Sequence, residues 1–261
     1  MGKNGVEEQA CLDCVFRTGV HIWSDSDSER DIIERALKSA KPNDVWNAFP
    51  DFICDNGFIE HFEITSTKQT RKGSKMRVQR CDMNQEMDRF RAKMTDAQAQ
   101  LVPGVVYSKS VQRKMETATH EFLLSSLKRQ WEEHLKKFVL YAEKAGQQDF
   151  SAFMVDLRYE NLLFMIEEIP VEIRRAENLQ PVRQPYWPMA DALLLRRLAG
   201  YVGGVKYVIF VKQGRCDVVP MSMLGRIADE LVYPFHIYAC PGIVWDYGAC
   251  VRMPLGGEED D

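Results

Sequence analysis

The sequence lacks the features that mark membrane and secreted proteins. No apolar run approaches the roughly 18 residues that a membrane span requires, and residues 1–10 lack the apolar core of a secretory signal. The seven cysteines are odd in number and spread along the chain, which does not suit a disulfide framework. These absences predict a soluble, cytoplasmic protein with reduced thiols and no membrane partner.

The chain also lacks the positive net charge that is common among nucleic-acid-binding proteins. Lysine and arginine number 34 against 38 for aspartate and glutamate, which gives a net charge of −4. Any affinity for nucleic acid must therefore come from a local cluster of cations. Residues 67–77 hold the densest cluster, and a solvated loop is the other interpretation of this segment. The phosphate contacts predicted within it are Lys68, Arg71, Lys72, Lys75 and Arg77.

Length and periodicity predict one α/β domain over residues 1–255, followed by an acidic, disordered tail over 256–261. Apolar residues at helical spacing predict helix over residues 111–145. A long helical segment, about residues 80–148, is thus inserted after a hairpin. We expect a mixed central β-sheet flanked by helices. Its predicted strands are residues 49–55, 58–66, 150–157 and 205–211.

The first two predicted strands enclose an Asn-Gly pair, the strongest short-range signal for a β-hairpin. The segment from Pro50 to Thr65 resembles the core motif of the PD-(D/E)xK nucleases, which share a restriction-endonuclease-like fold. In that family, an aspartate that follows a proline and a glutamate on the next strand bind the metal. The resemblance implies that Asp51 and Glu63 bind Mg²⁺ or Mn²⁺, hard cations that prefer oxygen ligands. It also implies a third metal ligand from the preceding helix, for which Glu34 is the candidate and Glu29 the alternative.

The resemblance implies a metal-dependent endonuclease that hydrolyses phosphodiester bonds in nucleic acid. DNA is the expected substrate, restriction or defence is the expected setting, and a homodimer is compatible with both. The bound metal would neutralise charge on the scissile phosphate and generate hydroxide near neutral pH.

One position departs from the motif, because Thr65 stands where the family has a catalytic lysine. A hydroxyl group cannot supply a positive charge. Either Lys72 or Lys68 fills that catalytic role, or the centre is inactive. In the second case the chain is a nuclease-fold module that binds nucleic acid or a protein partner. An unrelated α/β protein, whose hairpin carries these residues for structural reasons, is the third alternative.

Turn geometry decides which glutamate lies beside Asp51. A two-residue turn at the Asn-Gly pair would put Glu60 on the face that carries Asp51. A three-residue loop over residues 55–57 would pair Asp51 with His61 and put Glu63 on that face. The second register leaves the opposite face apolar except at Glu60, which suits packing against a helix. The sequence therefore predicts the three-residue loop and Glu63.

Overall fold

The computed structural model of the chain is mixed α/β, as predicted, with a mixed sheet flanked by helices. It describes residues 12–13, 19–44, 49–70, 73–97, 106–114, 117–145, 148–160, 162–166, 182–201, 203–212, 214–231, 236–239 and 244–252. The predicted tail over residues 256–261 lies outside these ranges.

Contacts divide the chain into two compact units. One comprises Met1–Ser66 and Thr119–Ala239, and the other comprises Thr67–Ala118 and Cys240–Asp261. The division reflects where contacts are dense and does not show whether the units fold separately. The single domain over residues 1–255 therefore stays a prediction.

The first unit is built on a seven-stranded sheet with the order β1-β12-β11-β8-β4-β3-β2. Strand β8 is parallel to both β4 and β11, whereas β3 is antiparallel to β4, so the sheet is mixed. All four predicted strands belong to this sheet. The strands are β1 (Val20–Ile22), β2 (Lys41–Pro42), β3 (Phe52–Cys54), β4 (Gly57–Thr65), β8 (Phe150–Tyr159), β11 (Tyr207–Lys212) and β12 (Arg215–Pro220).

Helices cover both faces of this sheet. Helix α1 (Asp27–Ser39) buries Ile33 and Leu37 in a cluster that contains Ile59 of β4. Helix α3 (His120–Ala145) packs on the other face, where the Trp131 ring lies 6.2 Å from that of Phe62. Successive residues of a strand point to opposite faces, so the mostly buried β4 can pack against both helices.

The first unit also contains a small antiparallel sheet and two short helices. The sheet has the order β10-β9-β13. These elements are β9 (Leu162–Ile166), β10 (Val182–Pro185), α4 (Ala192–Ala199), α5 (Leu224–Glu230) and β13 (His236–Ala239).

Within the described residues, the second unit contains one long helix and two antiparallel strand pairs. Strand β7 pairs with β14, and β5 pairs with β6. The elements are β5 (Gln69–Thr70), β6 (Gly73–Ser74), α2 (Lys75–Asp96), β7 (Val106–Lys114) and β14 (Val244–Arg252).

Two sequence-based boundaries are wrong. Helix was predicted over residues 111–145, but Val111 pairs with Tyr247 in the β7–β14 ladder and α3 begins only at His120. The partner strand lies far along the chain, so a local pattern cannot reveal it. The second boundary is the start of α1: Ser28, with Asp31 three residues later, predicts an N-cap at Ser28, whereas the hydroxyl of Ser26 accepts the Glu29 N–H at 3.2 Å and the helix begins at Asp27.

In the part of the chain that the structure describes, no helix combines the length and apolar character needed to cross a membrane.

Candidate functional site

The β3–β4 hairpin turns one residue earlier than its Asn-Gly pair suggested. Cys54 pairs with Gly57, so Asp55 and Asn56 form a two-residue turn and Asn56 adopts a left-handed φ of 52°. Asparagine tolerates this conformation better than most residues. The predicted three-residue loop is therefore wrong.

Packing against β8 explains why Gly57 belongs to the strand rather than to the turn. Gly57 pairs with Phe150, and a Cβ atom on Gly57 would lie 2.1 Å from the carbonyl oxygen of Phe150. The carbonyl oxygen of Asn56 accepts the N–H groups of Asp149 and Phe150 at 3.0 and 3.1 Å. Only glycine allows β8 to approach this closely, and that approach fixes the register.

The observed register brings Asp51 to Glu60 rather than to Glu63. Phe52 pairs with Ile59, so the next position places Asp51 opposite Glu60. The Asp51 N–H donates to Glu60 Oε2 at 3.2 Å, and the N–H of His61 donates to Asp51 Oδ2 at 2.7 Å. Glu63, three residues beyond Glu60, lies on the opposite face of β4. The predicted pairing of Asp51 with His61, which placed Glu63 on the Asp51 face, is thus wrong.

We call Asp51 and Glu60 the acid pair. Burial, and then the negative charge of Glu60, raise the pKa of Asp51 to about 6. Burial also raises the pKa of Glu60 to about 7, although the positive charge of Lys137 on α3 opposes this. Two carboxyl groups that share a buried site resist losing both protons. The acid pair is therefore costly to ionise in the absence of a cation.

Helix α3 adds His134 to the acid pair. His134 Nδ1 is hydrogen bonded to Glu60 Oε1 at 2.5 Å, and its ring stacks on Phe62 at 4.9 Å. Burial lowers the pKa of His134 to about 4, and the positive charge of Lys137 acts in the same direction. At neutral pH the acid pair thus has a neutral imidazole on one side.

Two other buried carboxylates of this unit, those of Asp191 and Asp217, accept hydrogen bonds from several donors. Asp191 accepts from His120 Nε2 at 2.6 Å and from the Tyr186 hydroxyl at 2.7 Å, and it caps α4 by accepting the Leu194 N–H at 3.1 Å. Asp217 receives the indole N–H groups of Trp23 and Trp187 and a hydrogen bond from His21. These hydrogen bonds join different elements of the fold. In the acid pair, by contrast, the negative charge of Glu60 raises the pKa of Asp51.

Glu34, the third metal ligand that the resemblance implied, lies on the surface of α1. It forms ion pairs with Arg30 at 3.3 Å and Lys38 at 3.2 Å, and hydrogen bonding to Lys38 lowers its pKa. Helix α1 covers the face of the sheet opposite α3. The structure therefore does not bring Glu34 to the acid pair.

The predicted cations of residues 67–77 belong to the second unit. Lys68 is exposed, Lys75 is exposed at the start of α2, and Arg77 is half-buried within α2. Arg71 and Lys72 lie outside the described residues. Phosphate binding by this segment stays a prediction.

Thr65, at the motif's lysine position, is fully buried near α3, and its N–H donates to the hydroxyl of Ser126 at 3.3 Å. Its side chain cannot provide a cation. Lys137 supplies a positive charge that lowers the pKa of Glu60, and it does so from a helix rather than from β4.

Sequence reasoning weighed Glu60 against Glu63 and rejected it, and it missed His134 and Lys137 as site residues. Glu60 carried a signal, because it interrupts the alternating apolar positions Phe58 and Phe62 and is only 3% exposed. A buried glutamate at such a position needs a partner or a function. His134 and Lys137 carried no such signal, since histidine and lysine on an amphipathic helix are ordinary.

The donor set of the acid pair suits Mg²⁺ or Mn²⁺. Among the residues that the structure describes, no group of three or more His, Cys, Asp or Glu side chains is arranged to hold a metal ion. Mg²⁺ does not require such a group, since one or two carboxylates, waters and substrate phosphates complete its shell. A carboxylate oxygen that accepts one hydrogen bond retains a second lone pair. Asp51 and Glu60 can therefore still offer oxygen ligands.

Comparison of the chain with models of protein families, with curated proteins and with solved structures gives no match in any of the three.

Proposed function

We propose that this protein is a metal-dependent nuclease that hydrolyses phosphodiester bonds in DNA, with Asp51 and Glu60 as its acid pair. The observation that carries the proposal is the hydrogen bond from the Asp51 N–H to the Glu60 carboxylate, which joins two residues whose carboxyl groups both have raised pKa values, on the hairpin that resembles the PD-(D/E)xK motif. Glu60 takes the position that the motif alone assigned to Glu63.

A divalent cation bound by the acid pair would offset the repulsion between the two carboxylates. Two buried carboxylates repel each other, and a bound Mg²⁺ or Mn²⁺ would favour the loss of both protons. When bound, such a cation supplies charge neutralisation at the scissile phosphate and a hydroxide nucleophile near neutral pH. Asp51 and Glu60 would hold it, and Lys137 would add positive charge beside Glu60 in place of the missing motif lysine.

A restriction-endonuclease-like fold is part of the proposal. Two features support it: helices on both faces of a mixed sheet, and a hairpin that, within the first unit, is followed by helix α3 and the parallel strand β8. The nucleic-acid contacts in the proposal remain Lys68, Arg71, Lys72, Lys75 and Arg77.

A nuclease-fold module without catalysis is the second candidate. The buried Thr65 favours it, because β4 itself carries no lysine at the motif position. Such a module would bind nucleic acid or a protein partner without cleaving a phosphodiester bond.

A cleavage assay on the full chain separates the two candidates. Plasmid DNA, linear duplex, single-stranded DNA and RNA are incubated with Mg²⁺, Mn²⁺ or EDTA, and the products are resolved on gels. We expect cleavage of DNA with Mn²⁺ or Mg²⁺, none with EDTA, and none by the D51N variant. Cleavage by wild type that survives EDTA and D51N would contradict the nuclease assignment. Binding without cleavage in every metal would establish the second candidate.

A further inference from the structure

One side chain from another element controls the orientation of Glu60. The His134 ring stacks on Phe62 with an interplanar angle of 27° and meets Phe153 edge-on, with ring centroids 6.5 Å apart. The His134 side chain is only 12% exposed. The two aromatic rings restrict the imidazole, so Nδ1 meets Glu60 Oε1 in a fixed direction.

Glu60 is thereby held at both of its carboxylate oxygens. Oε1 is hydrogen bonded to His134 on α3, and Oε2 accepts the N–H of Asp51 across the hairpin. A glutamate side chain has several rotatable bonds, so fixing its carboxylate costs conformational entropy that must come from specific contacts. The neighbouring rings of Phe58 and Phe62 offer Glu60 no hydrogen bond. Without His134, the hydrogen bond at Oε1 would be lost.

We propose that His134 is a positioning residue, which holds Glu60 in the orientation that lets it bind one divalent cation together with Asp51. The inference rests on the proposed function, because it presumes that the acid pair binds the cation. It assigns His134 no contact with substrate or with the reacting atoms. Hydrogen bonds to the ligands of a metal commonly change metal affinity by about 10- to 100-fold.

Two substitutions separate the hydrogen bond from the packing of the ring. H134F keeps an aromatic ring against Phe62 and removes the nitrogen that bonds Glu60. H134N places an amide near the position of Nδ1 and restores a hydrogen-bonding group. Q130L is the matched control, because Gln130 lies on the same helix and donates to the carbonyl oxygen of Glu63 at 3.2 Å. It removes a helix-to-strand hydrogen bond that does not involve the acid pair.

The experiment measures binding of Mn²⁺ alone to the full chain from the electron paramagnetic resonance signal of free Mn²⁺. The Mn²⁺ dependence of DNA cleavage is measured in parallel. We expect H134F to weaken Mn²⁺ binding by about 10- to 100-fold and to recover most of its kcat at saturating Mn²⁺. H134N should stay within about threefold of wild type, and Q130L should be unchanged. Circular dichroism checks folding, and H134L replaces H134F if the latter does not fold.

Mn²⁺ affinity that is the same in wild type and in the folded H134F or H134L protein would overturn the positioning role. So would an equal loss in H134N and H134F. In both cases wild-type binding and cleavage would leave the proposed function intact. A wild-type protein that neither binds Mn²⁺ nor cleaves DNA would instead overturn the proposed function, and the role of His134 with it.

Discussion

Replacing Glu60 by glutamine is expected to lower the rate of metal-dependent DNA cleavage by about a hundredfold or more. A metal ion contributes several kcal/mol of transition-state stabilisation, and each 1.36 kcal/mol corresponds to a factor of ten in rate. Glutamine keeps the size of the side chain and can still hydrogen bond to His134 and the Asp51 N–H, but it lacks the charge that binds the cation. The measurement is kcat/KM on a DNA substrate at fixed Mn²⁺.

E63Q is the matched control for this substitution, because Glu63 lies on the same strand but on the opposite face. We expect E63Q to retain a rate within a few fold of wild type. If E63Q loses cleavage while E60Q cleaves normally, Glu63 is the metal ligand, as the motif predicts, and Glu60 is not. Thermal denaturation of each variant separates a lost ligand from a lost fold.

Replacing Glu60 by glutamine should also change how the free energy of unfolding depends on pH in the absence of divalent cations. The pKa of Glu60 is about 7 in the folded protein, above its ordinary value of 4.5. Because the folded state binds this proton more tightly than the unfolded state, the free energy of unfolding falls as pH rises from about 4.5 to about 7. E60Q cannot lose that proton. We therefore expect its stability relative to wild type to increase by on the order of 2–3 kcal/mol between pH 4.5 and 8.

Urea denaturation in EDTA at several pH values measures this difference. His134 responds in the opposite sense, since its lowered pKa makes stability rise between about pH 4 and its ordinary value of 6.5. Because His134 is hydrogen bonded to Glu60, the same comparison is also made in the H134F background, where that response is absent. E34Q is the control. The pKa of Glu34 is lowered, so removing this carboxylate cannot make the protein more stable relative to wild type as the pH rises. A pH-independent difference between E60Q and wild type would show that Glu60 ionises as it does in water.

The sequence predicts those parts of the fold that depend on local pattern. The hairpin, the strands around residues 150–157 and 205–211, and the class of the sheet all follow from apolar periodicity and an Asn-Gly pair. The extent of β7 does not, because its pairing with β14 joins distant parts of the chain. The residues of Val106–Lys114 cannot be recognised as a strand from their own sequence, because the strand with which they pair lies far along the chain.

The candidate site was only half predictable for a similar reason. Pro50-Asp51 marks the start of the hairpin, and Asp51 does belong to the acid pair. The choice of glutamate depended on the register, and the register is set by the approach of Phe150 to Gly57 rather than by the turn sequence. A shift of one residue moves every side chain of a strand to the other face. Local turn preferences could not reveal a constraint imposed by β8.

In the function we propose, Asp51 and Glu60 hold one divalent cation between them. Anomalous diffraction from crystals of the full chain grown with Mn²⁺ tests it most directly, because the signal locates manganese independently of any assumed ligand. We expect one strong peak within coordination distance of an oxygen of both carboxylates, and none in crystals of the E60Q variant. A manganese peak at Glu63, or no peak at the acid pair at Mn²⁺ concentrations that support cleavage, would contradict the claim.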